Sequence, residues 1–348
     1  MLNELEIDAF IAQKSTFDLL IDARSPQEFL ESNIQNAQNF YALNDAEHQE
    51  VGTLYKQVSR NDAKILGARY ICQNIANHLQ VIAKTYKIGS TIGIYCARGG
   101  LRSSSIAIIL SHIGYRVYRL NGGYKSYRYY VLTYLEKIPH QRFILLGGNT
   151  GCGKTELLQA LHPSLDLEKL ANHLGSTFGS IKGSQPSQKA FENNLFETLR
   201  TIDPQTYIFV EAESKRLGKL TIPSLLHTRI HHGYRVEVTA PMEQRIERIL
   251  KDYQCIESDF FYHAMQCITP YIQRSVKEEV LHAYEEKNLK NVARLLLSEY
   301  YDHVYKKPLK SDATLHNDTM TQSLHTLLAL HVKLMHQPKN GAYDNVSD

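Results

Sequence analysis

Eight residues constrain this chain more than any others: Gly148-Asn-Thr-Gly-Cys-Gly-Lys-Thr155. They match the pattern G-x-x-x-x-G-K-[ST], which carries weight only between a strand and a helix. Here the apolar run Arg142-Phe-Ile-Leu-Leu146 precedes them and the helix-like Glu156-Leu-Leu-Gln-Ala-Leu161 follows. Gly148, Gly151 and Gly153 let the backbone wrap a phosphate, with its N–H groups and the helix N-terminus aimed at the anion. Lys154 would balance the terminal phosphate charge, and the Thr155 hydroxyl would ligate Mg²⁺. Binding of a diphosphate or a nucleotide is the expectation.

The pattern also requires a parallel sheet, whose further strands are predicted at Tyr207-Ile-Phe-Val210 and Arg235-Val-Glu-Val238. Glu211 stands at the end of the first of these, with Glu213 on the same face, where either could hold Mg²⁺ through water. An ordinary strand-end carboxylate is the plainer alternative. After Pro241 the chain reads mostly helical to about Met335, over 242–253, 270–284, 288–301 and 320–335. The polar stretch 336–348, with its Pro and Gly, is expected to be a disordered tail.

A second α/β pattern lies upstream. Asp18-Leu-Leu-Ile-Asp22 is a short apolar strand. Ser25-Pro-Gln-Glu28 then supplies an N-cap, a proline at the first helical position and a capping-box glutamate. Ile92-Gly-Ile-Tyr95 is a buried strand that runs into Cys96-Ala-Arg-Gly-Gly-Leu-Arg102; a helix over Ser103 to His112 and a strand Arg116-Val-Tyr-Arg-Leu120 come next. A cysteine at the mouth of a glycine turn, with Arg98 and Arg102 close behind, fits two chemistries. Cys-x₅-Arg is the spacing of phosphatases in which a thiolate attacks phosphorus. A similar loop in sulfurtransferases carries a persulfide. Both need a thiol acidified by backbone N–H groups, a helix N-terminus and nearby arginines.

Composition excludes several classes. The chain of 348 residues is 43% hydrophobic and 22% charged, long enough for two ordinary domains. No apolar run approaches a membrane span, and the first residues lack the basic start of a signal peptide. The five cysteines are scattered without a C-x-x-C pair, which argues against a disulfide framework or a zinc site and for a reducing, cytoplasmic setting. Net charge is only +3, yet the 73 residues from Ala63 to Leu135 hold ten Lys and Arg and no Asp or Glu. A positive field of that kind suits a nucleic acid, although a set of solvated helix faces would also account for it.

The surroundings of the two loops carry a resemblance. "DARSPQEFLESNIQNAQNF" (Asp22 to Phe40) and "LNGGYKSY" (Leu120 to Tyr127) resemble segments of rhodanese domains. The stretch from Cys96 to Arg102 is, however, seven residues rather than the six usual in single-domain sulfurtransferases, which suggests a larger tetrahedral oxyanion. With "YCARGGLRSSSIA", "GGNTGCGKTELL", "LEKLANHLGSTFG", "QPSQKAFEN", "VEAESKRLGKLTIP" and "YYDHVY" in order, the chain resembles the tRNA 2-selenouridine synthase family over about residues 10 to 305. Leu174, where the family usually has arginine, and His303, where it usually has proline, depart from its motifs.

The resemblance implies an α/β protein: a rhodanese-like domain with a parallel sheet at 1–136, a P-loop NTPase-like α/β domain at 137–255 and a helical C-terminal region at 256–335. It implies a tRNA substrate with 2-thiouridine at the wobble position, first S-geranylated from geranyl diphosphate and then selenated from selenophosphate. The P-loop would hold the diphosphate with Mg²⁺ on Thr155 and Glu211. Cys96 would take the selenium, and Arg98, Gly99, Gly100 and Arg102 would hold the phosphate half. Arg116, Arg119, Lys125 and Arg128 are candidates for the anticodon arm, Tyr124, Tyr127, Tyr129 and Tyr130 for base stacking or for packing of the linker helix. An enzyme that supplies selenophosphate is a candidate partner. On the residues alone, a Cys-dependent phosphatase or sulfurtransferase fused to a nucleotide-binding P-loop domain stays open.

Overall fold

The computed structural model describes residues 3–138, 141–174, 183–252, 257–304 and 310–336; most of the expected tail lies outside them. The chain forms two compact units. The first comprises Met1–Tyr134 and Ser187–Glu197, the second Leu135–Pro186 and Thr198–Asp348.

The first unit is built on five parallel strands, β1 (Asn3–Leu5), β2 (Leu19–Asp22), β3 (Ala37–Asn39), β4 (Thr91–Tyr95) and β5 (Arg116–Leu120), in the order β1-β5-β4-β2-β3. The central strands β2 and β4 are almost wholly buried, as both-faced coverage demands. One face packs against the helices Arg60–Thr85 and Leu101–His112 through Ile71, Ile75, Ile82, Ile106 and Leu110. The helix Pro26–Glu31 starts as its sequence dictates, with Ser25 and Glu28 closing a reciprocal capping box behind Pro26.

The segment Ser187–Glu197, although it follows the P-loop in sequence, is part of this unit. Phe196 meets the rings of Tyr127, Tyr130 and Tyr134 edge-on, at centroid distances of 6.1, 5.7 and 5.1 Å. Glu197 forms a buried ion pair with Lys14 at 2.5 Å, and the Asn193 amide donates to the Tyr124 hydroxyl and the Asn33 carbonyl, each at 2.9 Å.

A second buried pair supports the same region. Arg24 Nε donates to both Asp22 oxygens at 3.0 and 3.1 Å, Arg24 Nη2 donates to Oδ2 at 2.6 Å, and the guanidinium lies 3.7 Å from the Tyr124 ring centroid. Asp22 is 0% and Arg24 4% exposed. Removing one partner strands a charge in the interior, so Asp22→Ala should destabilise the protein by about 3–5 kcal/mol in urea unfolding. A loss below about 1 kcal/mol would mean that water or another acceptor reaches Arg24.

The second unit holds a sheet of five parallel strands: β6 (Arg142–Gly147), β7 (Ser164–Leu165), β8 (Tyr207–Glu211), β11 (Tyr234–Thr239) and β12 (Ala313–His316), in the order β12-β11-β6-β8-β7. A small antiparallel pair, β9 (Arg216–Leu217) with β10 (Leu220–Thr221), stands apart from it. β12 falls inside the stretch read from sequence as helical, and it extends the sheet at its edge beside β11. The remaining C-terminal elements are helices, among them Met242–Asp252, Ser258–Ile268, Arg274–Glu285, Leu289–Leu296 and Met320–His336. No helix among the described residues is long and apolar enough to cross a membrane.

Candidate active sites

β4 delivers Cys96 to the sheet's C-terminal edge, where the chain turns through Ala97–Gly100 into the helix Leu101–His112. The thiol is buried, with 2% of the residue exposed. Ser103 Oγ, also buried, lies 3.1 Å from Cys96 Sγ and 3.3 Å from the Gly100 carbonyl, so its one proton can serve either. Among the described residues, no acceptor is found for the amides of Ala97 through Arg102. A turn of unpaired N–H groups at a helix N-terminus is a site for an anion or a developing negative charge.

The following strand and turn hold this loop in place. Tyr124 and Lys125 donate their amides to the carbonyls of Cys96 and Ala97 at 2.8 and 3.0 Å. Gly123, at φ 59°, lies so close that a Cβ there would stand 2.2 Å from the Cys96 carbonyl oxygen. This approach is the physical content of the Asn121-Gly-Gly123 motif. Arg119 donates to the Gly99 carbonyl and pairs with Glu4.

The two loop arginines differ. Arg98 is exposed. Arg102 Nη1 donates to Glu28 Oε2 at 2.5 Å. Burial alone would raise the Glu28 carboxyl, but the hydrogen bond and charge of Arg102 outweigh it and hold that carboxyl below the usual carboxylate range. The capping-box glutamate thus also orients an arginine of the loop.

Of the four cations assigned to RNA from sequence, Lys125 is exposed, and Arg116 Nε donates to the Gly89 carbonyl at 2.9 Å. Arg119 is engaged as above, and Arg128 binds Glu192 and Asn193. Tyr124 and Tyr127 are buried, whereas Tyr129 is 75% exposed. Tyr130 packs edge-on against Phe196, so packing claims Tyr124, Tyr127 and Tyr130.

In the second unit β6 leads into the phosphate loop and the helix Lys154–Ala160. Gly148, at φ 135°, faces the Val238 carbonyl so closely that a Cβ would meet its oxygen at 2.2 Å. Lys154 Nζ donates to the carbonyls of Gly148 at 2.7 Å and Asn149 at 3.3 Å, folded along the loop it would serve. Three side chains clamp the loop from outside. Arg245 Nε donates to the Thr150 carbonyl at 2.9 Å while its other nitrogens grip Asp302. Arg248 Nη1 donates to Gly151 at 3.2 Å, and Asn317 Nδ2 to Cys152 at 2.9 Å.

An acidic group lies at the loop's helix end. Thr155 Oγ1 donates to Glu168 Oε2 at 3.3 Å, and the Glu168 amide donates to Glu211 Oε1 at 2.8 Å. Burial first, then the charges of Glu168, Glu213 and Asp166, push the Glu211 carboxyl well up. Burial and Glu168 likewise push Glu213 up to about 8, against the pull of Lys154. Among the described residues no three acidic, His or Cys side chains form a ready metal cage. Crowded carboxylates beside a hydroxyl nevertheless fit Mg²⁺, which keeps water and phosphate oxygens in its shell and asks the protein for only one or two ligands. Thr155 and Glu211, with Glu168, are the residues that could hold it.

Ser103, Glu168 and the clamp of Arg245, Arg248 and Asn317 escaped the sequence reading. Glu168 sits in a quoted motif, two residues after Asp166, and that short strand-to-helix turn was the available signal. The roles of the others depend on contacts that no local pattern encodes.

Comparison with known proteins matches two domain families along the chain. Residues 6–129 match the family model described as a rhodanese-like domain, and residues 141–268 the one described as the tRNA 2-selenouridine synthase AAA domain. The curated tRNA 2-selenouridine synthase of Psychromonas ingrahamii is 32% identical over 84% of this chain and 88% of its own length. That of Hydrogenovibrio crunogenus is 33% identical over 84% of this chain and 91% of its own, and that of Pseudomonas aeruginosa 35% identical over 82% and 77%. With identity at that level over more than four fifths of its length, the chain belongs to the tRNA 2-selenouridine synthase family.

Proposed function

We propose that this protein converts wobble 2-thiouridine in tRNA to 2-selenouridine in two steps. In the first, the thiocarbonyl sulfur attacks C1 of geranyl diphosphate; the C–S bond forms as the C1–O bond breaks, and the electron pair leaves with diphosphate. The phosphate loop, with Lys154 and the adjacent helix N-terminus, stabilises that departing charge. Mg²⁺, where bound by Thr155 and Glu211, would neutralise part of the same charge.

In the second step, the selenium of selenophosphate attacks C2 of the activated base, and geranylthiolate leaves with the C–S electron pair and takes up a proton. Water then cleaves the P–Se bond, releasing phosphate and leaving the selenocarbonyl at C2. Cys96 steers the selenium donor toward C2, with the Ser103 hydroxyl and the amides of Ala97 through Arg102 facing the phosphate half. S-alkylation makes sense beforehand, because a bare thiocarbonyl is a poor leaving group. The exposed cations Lys125 and Arg98 would help draw in the anticodon arm by backbone charge. The setting would be cytoplasmic, with a selenophosphate-producing enzyme as supplier.

The observation that carries this reading is a buried thiol beneath unpaired amides in a chain that also has an intact phosphate loop. A tRNA bearing 2-thiouridine, incubated with the protein and each donor alone or together, tests it by mass spectrometry of the nucleosides. S-geranyl-2-thiouridine with geranyl diphosphate alone, and selenouridine only with both donors, is the expected pattern. Unchanged thiouridine in every reaction would refute the proposal.

A further inference from the structure

The second unit contains a cavity whose chemistry the phosphate loop does not explain. It is a half-open hollow whose empty space, counting the part that opens to solvent, is about 550 Å³. Ile249, Phe261, Tyr284, Leu289 and Ala293 line it from four successive helices, and Thr150 of the phosphate loop lines it as well. Phe261 and Tyr284 stack at a centroid distance of 3.7 Å and an interplanar angle of 10°, a flat wall. The lining is almost wholly apolar.

We infer that this cavity binds the hydrocarbon chain of a prenyl diphosphate whose diphosphate sits in the phosphate loop. The inference rests on the transfer reaction proposed above and deepens it by locating the tail. Thr150 connects the two halves: its carbonyl is held by Arg245 Nε at 2.9 Å, and the same residue lines the cavity. A ligand gripped by the loop at its charged end therefore has an apolar space beside it.

The obvious competitor is the base of a nucleoside triphosphate, the ligand usually associated with such a loop. A purine buried against these walls would lose water from its ring nitrogens and exocyclic groups without gaining partners, and unpaired buried polar groups are strongly disfavoured. A branched alkenyl chain has no such groups. Each methylene moved from water into the cavity strengthens binding by up to about fourfold. Chain length should therefore decide affinity, and the base of ATP should add nothing to its phosphates.

Calorimetric titration of the full-length protein, in the presence of Mg²⁺, tests this with inorganic diphosphate, dimethylallyl diphosphate, geranyl diphosphate and ATP. Geranyl diphosphate is expected to bind at least tenfold more tightly than the dimethylallyl compound, and ATP no more tightly than inorganic diphosphate. Ala293→Trp, which fills the cavity, should weaken geranyl diphosphate at least tenfold and leave inorganic diphosphate within about twofold. Retained diphosphate binding also reports that the variant is folded. Should Ala293→Trp fail to fold, Ala293→Leu gives a smaller plug, with a loss expected for geranyl but not dimethylallyl diphosphate.

Equal affinity across the chain-length series, or undiminished geranyl diphosphate binding in a folded plugged variant, would overturn the inference. The two proposals separate cleanly. Chain-dependent binding without alkylation of 2-thiouridine removes the reaction and keeps the cavity's ligand. Alkylation at an unchanged rate in Ala293→Trp removes the cavity's role and keeps the reaction.

Discussion

Cys96→Ala should abolish selenium incorporation, by a factor of roughly 10³ or more, while S-geranylation of the same tRNA proceeds at close to the normal rate. An effect of that size is typical when a side chain at the reacting centre is removed. The selectivity follows from the architecture. Cys96 belongs to the first unit and the phosphate loop to the second, so the substitution alters no residue proposed to touch geranyl diphosphate. The variant is also expected to stay folded, because the thiol is a small side chain and the loop is held by backbone bonds from Tyr124 and Lys125. Nucleoside analysis of a Cys96→Ala reaction supplied with both donors should therefore show S-geranyl-2-thiouridine accumulating. If selenouridine still formed, selenium would reach the base without this thiol. If geranylated product vanished as well, Cys96 would belong to a different step.

The second large effect is the reverse. Lys154→Ala should slow geranyl transfer by roughly 10²–10³, the range found when one preorganised charge-stabilising donor is removed. Supplied with pre-geranylated tRNA and selenophosphate, the same variant should form selenouridine normally. Lys154 Nζ donates to the loop carbonyls of Gly148 and Asn149, and so it already lies along the surface where a diphosphate would bind. The rescue arm matters because it separates a lost transfer step from general damage. Unchanged geranyl transfer would assign the loop to another ligand, and failure with pre-geranylated tRNA would tie Lys154 to both reactions.

Much of this was legible in the sequence, and the pattern of success has physical causes. Helix starts governed by neighbouring residues were readable: Ser25, Pro26 and Glu28 form the capping box their spacing dictates. Strands long enough to show a continuous apolar run, such as Arg142–Gly147 and Tyr207–Glu211, were readable as well. Edge strands were not. Asn3–Leu5 and Ala37–Asn39 have three residues each, too few to display a period, and Ala313–His316 lies in a region of helical composition. The same division holds at the sites. Glycines and the lysine of the phosphate loop announce themselves because the backbone geometry demands them at fixed spacing. Ser103 beside Cys96 and Glu168 beside Thr155 matter only because the fold brings them there. Arg119 and Arg128 read as free cations in sequence, yet acids far along the chain, Glu4 and Glu192, neutralise them.

The route of the chain bears on how such a gene can change. Residues Ser187–Glu197 return to the first unit from within the stretch that builds the second, so no single break in the coding sequence yields two whole units. A break after Tyr134 would deprive the first unit of Phe196 and Glu197, and with them an aromatic cluster and a buried ion pair. A break after Glu197 would leave the phosphate loop on the wrong fragment. Because that segment is shared, splitting the gene would cost one unit part of itself, and the Cys96 loop and the phosphate loop are inherited together.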